Sequence, residues 1–145
     1  MENSPDARFY DSNQVMFSIA DRPVSSGRAE GEFYSSDFNA DATTETNGAD
    51  GEVCVSATNR RDATITLKLM QTSSAHTLLM QLYAAQLAST NGAFFAVELN
   101  DLTGSKIEHA EKCWIKKAPP SAYGATAGER EWKLACANLV REVVT

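Results

Sequence analysis

The chain has 145 residues, 43% of them hydrophobic and 22% charged, and 19 acidic against 13 basic side chains leave a net charge of -6. That suffices for one domain with one real core, and the acidic balance argues against a protein that grips nucleic acid through its phosphates. No apolar run approaches the ~20 residues that span a bilayer, and Met1 to Tyr10 is polar without a hydrophobic signal core, so neither membrane insertion nor export by that route is expected.

Three cysteines, Cys54, Cys113 and Cys136, are odd in number and far apart. A secreted disulfide framework is dense and even, so they read as reduced thiols in a cytoplasm. Residues 1–8 combine Pro5 with small and charged groups and no periodic apolar face, the composition of an arm that packs only if something holds it.

From there the pattern changes. Val15, Phe17 and Ile19 alternate with Met16 and Ser18, the period of a half-buried strand, and Asp21, Arg22 and Pro23 turn the chain. A second strand is expected over Glu32 to Asp37 around Phe33 and Tyr34. Residues 38–51 then read as a long loop in which Phe38 is the only large apolar side chain. Seven acids (Glu30, Glu32, Asp37, Asp41, Glu45, Asp50, Glu52) fall between Glu30 and Glu52 with no Lys or Arg among them. A connection of that length in so small a domain usually has a task, such as docking on a partner.

Two strands follow, around Val53, Val55 and Ala57 and around Ile65, Leu67 and Leu69, and Asn59 to Asp62 reads as the hairpin turn between them. Residues 74–89 carry Leu79, Leu82, Tyr83 and Leu87 at helical spacing, with Thr72, Ser73 and Ser74 as N-caps and Asn91-Gly92 as the stop, so one amphipathic helix is expected. Three strand segments close the chain: Phe94 to Asn100, Lys106 to Lys116 and Glu129 to Val144. Asp101 to Gly104 turns between the first two, and Pro119 and Pro120 break the sheet before the last. The order predicts a mainly β chain: an antiparallel β-sandwich or barrel-like single domain with one flanking helix and a long acidic loop.

Catalytic chemistry finds little support. His76 and His109 are the only imidazoles and neither sits in a nucleophile motif; His76 reads as an exposed polar residue and His109 as part of a solvated charged edge beside Glu108 and Glu111. His109 with Cys113 is one isolated pair, short of a metal site. Cys113 and Cys136 share the parity of Ile115 and Trp132 and read as buried thiols, with a disulfide as the alternative, whereas Cys54 is the reachable one. Asn39, Asp41, Glu45, Asn47 and Asp50 do not match calcium-loop spacing. No enzyme activity, cofactor or metal is expected.

Four blocks in order carry a resemblance. Asp50-Gly51-Glu52, Ala63 to Ser73, Trp114 to Pro120 and Gly128 to Cys136 resemble bacteriophage tail tube proteins, and the likeness runs from Phe9 to Val144. The resemblance implies a virion structural subunit, assembled in the host cytoplasm, whose six copies close into a ring. Rings would stack into a hollow tube inside a contractile tail, with sheath, baseplate and tail terminator proteins as partners. Double-stranded DNA would pass through without specific binding.

On this expectation Asp37, Phe38, Asp41, Glu45 and Asp50 form an inter-subunit loop, and residues 1–8 order against neighbouring subunits. Glu52, Ser56, Thr64 and Thr66 are expected to face an acidic lumen that repels phosphate. The tube protein of a phage-tail-like injection or secretion system is one alternative reading, and a monomeric β-sandwich binding module is another.

Overall fold

The computed structural model describes residues 9–24, 26–90, 92–103 and 105–143; the expected N-terminal arm at 1–8, Asn91 and Gly104 lie outside them. A 3-10 turn at Ser12–Gln14 leads into β1 (Val15–Ile19), β2 (Arg22–Val24), β3 (Tyr34–Phe38), β4 (Thr43–Asn47), β5 (Val53–Ala57), β6 (Ala63–Met70), α1 (Ser74–Ala88), β7 (Phe95–Asp101), β8 (Lys106–Lys117), β9 (Glu129–Cys136) and β10 (Val140–Val143).

Eight strands form one antiparallel sheet in the order β2-β1-β7-β8-β9-β6-β3, with β10 added along β8. The sheet curls, because β1 near one end of that order meets β3 at the other. The Phe17 ring lies 6.1 Å from Phe33 and 5.8 Å from Tyr34. Arg28 fastens this closure, with its guanidinium 4.3 Å over the Phe33 ring and a hydrogen bond donated to the Val15 carbonyl.

Alternation builds the core. On β6, Ala63, Ile65, Leu67 and Leu69 are buried, while Thr64, Thr66, Lys68 and Met70 between them are half-buried on the other face. β9 matches it across the ladder with Trp132, Leu134 and Cys136. Each large apolar side chain buried this way contributes about 1.5–3 kcal/mol.

The helix covers the core through Leu79, with Leu78, Leu82 and Tyr83 packed beside it. Ser73 caps it, accepting a hydrogen bond from the Ala75 N–H at 3.1 Å. Gln86 ties its far end to the sheet: the side-chain amide donates to the Ile115 carbonyl at 2.9 Å and accepts from the Ile115 N–H at 2.8 Å. β7 pairs with β8 only as far as Cys113, so Gln86 stands in for the ladder partner that Ile115 lacks on that side.

Several expectations change. The segment 38–51 is not an irregular loop, because Thr43–Asn47 is a strand paired with β5. Three threonines in its five residues favour extended backbone without any core to face. Asp37 and Phe38 belong to β3 and lie on the body of the sheet. Asn59 to Asp62 does not close a β5–β6 hairpin; β5 pairs with β4, and β6 with β3 and β9. The chain turns after β1 at Ala20 and Asp21, both with positive φ, and Pro23 lies in the edge strand β2, where no ladder donor is required of it. The last segment is two strands, β9 and β10, which keep one register along β8 across the break at residues 137–139.

Gly27 is held tightly. Its φ is +75°, its carbonyl accepts from the Met70 N–H at 2.7 Å, and a Cβ there would lie 2.6 Å from both Cβ and Oγ of the helix cap Ser73. Gly27→Ala is therefore expected to lower stability by about 1–3 kcal/mol, read as a fall in the urea unfolding midpoint at unchanged slope.

Candidate assembly surfaces

β4 and β5 form a sheet of their own, with every residue of both strands exposed. The strand register sorts their side chains into two faces. Thr43, Glu45 and Asn47 oppose Ala57, Val55 and Val53 on one; Thr44 and Thr46 oppose Ser56 and Cys54 on the other. Val53 and Val55 stay 60% and 59% exposed. A two-stranded ribbon with neither face covered is marginal by itself, and apolar side chains this exposed on it point to an interface.

The hairpin's turn and base are well defined. Gly48 N–H donates to the Glu52 carbonyl at 2.7 Å, and Gly51 takes a φ of 85° in the turn. At the base, Asp62 accepts from Arg60 Nη2 at 3.0 Å and Asn39 Nδ2 at 2.9 Å. The hydrogen bond from Arg60, then that from Asn39, holds the Asp62 carboxyl at about 2.

Residues expected to act together are thus separated. Asp41, Glu45 and Asp50 lie on or beside the hairpin, whereas Asp37 is exposed on β3 and the half-buried Phe38 ring lies 4.7 Å beneath the Arg141 guanidinium. Glu52 and Ser56 belong to the hairpin, but Thr64 and Thr66 are on β6. There Thr66 opposes Lys133 and Lys68 opposes Glu131, so the threonine face carries both signs of charge.

Basic side chains gather at the far half of β8. Lys112 and Lys116 are exposed on either side of Trp114 along the strand, and Lys117 lies directly opposite Lys133. Like charges so placed repel; Lys133 has Glu131 at 3.9 Å as a partner. Beside them a shallow cleft of about 370 Å³ is lined by Gln86, Gly92, Ala93, Phe94 and Trp114. Phe94 meets Trp114 edge-on at 5.9 Å and is itself 56% exposed.

Across the body, Arg141 of β10 donates to the Ser36 carbonyl and hydroxyl, each at 2.9 Å, and Ser36 donates to Glu108. Burial, then the Glu108 charge, pushes the Tyr34 phenol beside this cluster well above its ordinary range.

The imidazoles sit on different elements, α1 and β8. His109 lies 4.0 Å from Glu142. His76 is half-buried and is a packing partner: its Nδ1 accepts from the indole N–H of the buried Trp132 at 3.0 Å, and Tyr83 meets the same indole edge-on at 6.3 Å. Sequence alone missed this role because donor and acceptor are 56 residues apart. Among the described residues no group of three or more His, Cys, Asp or Glu is arranged to hold a metal ion. No described helix is long and apolar enough to cross a membrane.

Burial, then the Arg130 charge, lowers the His76 pKa below 6.5, so the folded state favours the neutral ring. That stability is complete above 6.5 and is lost as pH falls from there through the lower folded value. His76→Ala, which leaves a buried indole N–H without its acceptor, is expected to cost about 1–3 kcal/mol at neutral pH and to flatten the thermal-melt profile between pH 7 and 5.

All three cysteines are free. Cys113 and Cys136 oppose each other across β8 and β9 in the core, and hydrogen bonding between them, then burial, pushes the Cys113 thiol far up. A maleimide is expected to label Cys54 alone in the native protein and all three thiols after denaturation, counted by mass spectrometry; rapid native labelling of three would refute the buried assignment.

Residues 15–143 match the family described as the bacteriophage PhiTE tail tube protein. No curated protein matches the chain. Among solved structures, similarity in fold extends to a chain of the sheath–tube complex of an extracellular contractile injection system, PVC, in its extended state. There the TM-score is 0.63 at 12% identity, covering 93% of this chain and 92% of that one. The tube-terminating cap of the anti-feeding prophage AFP gives 0.61 at 12% identity, covering 99% and 97%. The PVC sheath/tube terminator gives 0.58 at 8% identity, covering 99% of both chains.

Proposed function

Because the chain belongs to the bacteriophage PhiTE tail tube protein family, we propose that it is the structural subunit of a contractile tail tube, built from hexameric rings stacked into a hollow cylinder. The observation that carries this reading is the β4–β5 hairpin, which leaves the body of the fold with both faces uncovered. Such a ribbon gains a core only against another molecule, and repetition of one heterologous contact closes a ring or propagates a helix. The edges of the main sheet, β2 and β3, are a further pairing surface that assembly would bury.

Sheath, baseplate and terminator proteins are the partners this role requires, the sheath on the outside and the others at the ends. Within the virion the tube would conduct double-stranded DNA. A net charge of -6 fits a bore that does not grip phosphate, and at physiological salt the repulsion reaches about 8 Å, enough to keep a duplex off the wall. The role is mechanical, and it asks for no catalytic group or cofactor.

Negative-stain electron microscopy with light scattering across a concentration series tests the assembly. Rings or hollow tubes are expected from the intact chain, while excision of residues 42–58 is expected to leave a folded monomer. A chain that stays monomeric at every concentration, with baseplate components present, would overturn the reading.

A further inference from the structure

We propose that the Phe94–Trp114 cleft is the socket for the hairpin of a second copy of this chain, an assignment that rests on the tube reading and names its contact. The two surfaces are complementary in two independent ways. First, each has an exposed apolar centre: Val53 and Val55 on one face of the hairpin, and Phe94 with the half-buried Trp114 at the cleft.

Second, the rims carry opposite charge. The hairpin places Glu45 directly across from Val55, with Asp50 and Glu52 in its turn, and no Lys or Arg occurs between Ala29 and Asn59. The cleft is flanked along β8 by Lys112, Lys116 and Lys117, and Lys133 lies opposite Lys117. An apolar centre inside a charged rim is the usual anatomy of a specific interface.

The position explains two otherwise costly features. Lys117 faces Lys133, which Glu131 at 3.9 Å already partners, and acids arriving from a neighbour offset the repulsion that remains between the two lysines. Beyond Cys113, β8 has no β7 partner and only the Gln86 side chain takes its Ile115 backbone groups, so lysines along this stretch discourage unselective strand pairing while admitting an acidic partner. Within one chain the hairpin base is held by hydrogen bonds among Asn39, Arg60 and Asp62, every residue of both its strands is exposed, and no hairpin residue lines the cleft. The contact is therefore between copies.

A charge exchange in the intact chain tests this. The Glu45→Lys/Glu52→Lys and Lys116→Glu/Lys117→Glu pairs are each expected to raise the concentration needed for assembly about tenfold or more, equivalent to about 1.4 kcal/mol. Combining all four substitutions is expected to restore most of it. All these positions are exposed, and circular dichroism melts establish that each variant folds. Phe94→Ser, which removes the apolar centre without touching charge, is expected to weaken assembly without lowering the melting temperature.

Wild-type tubes with unimpaired reversals, or a quadruple variant no better than its parents, would overturn the socket while leaving the tube reading intact. A wild-type chain that never associates would remove both.

Discussion

The molecule hangs on the ladder between β6 and β9, which pairs Ala63 through Met70 with Cys136 through Glu129 without interruption. Its inward side chains are fully buried, and Trp132 sits where strand, helix and core meet. α1 is placed by that indole and by Gln86; β3 attaches to the free edge of β6, and β8 to the free edge of β9. A chain this size has one core to spend on stability, and here it lies wholly in the curled sheet and under the helix. The hairpin shares none of it.

That division explains what could be read from the residues. β1, β6, β7, β8 and β9 showed themselves because each buries one face and exposes the other, a difference that alternation records. β4 did not, since Thr-Thr-Glu-Thr-Asn faces solvent on both sides and carries no contrast for a period to reveal. The pairing of β5 was misread for a related reason: proximity to β6 suggested a hairpin, while the actual partner lay in a stretch with no apolar signal. β2 escaped notice because its turn uses Ala20 and Asp21 in place of glycine or asparagine.

The assembly surfaces were legible in charge and illegible in position. The acidic run was plain, yet nothing local separates Glu52 and Ser56 on the hairpin from Thr64 and Thr66 on the body. His76 reads as an exposed polar residue, and Gln86 carries no local signal of its role, because their partners, Trp132 and Ile115, are distant in sequence. Trp114 shows the same limit: on its strand it reads as one more alternating residue, and only the approach of Phe94 and the helix end makes a cleft of it.

The five-residue strands of the hairpin also act as a ruler. Each added residue extends a strand by about 3.3 Å, so the present ribbon reaches about 17 Å from its base. Adding one residue per strand would turn Val53 and Val55 to the opposite side, because side chains alternate with a period of two. Length can therefore change only in steps of about 7 Å if the same side is to meet the neighbour. Spacing between subunits would evolve by jumps of two residues per strand, not by gradual drift, and relatives of different reach should differ by an even number in each strand of this hairpin.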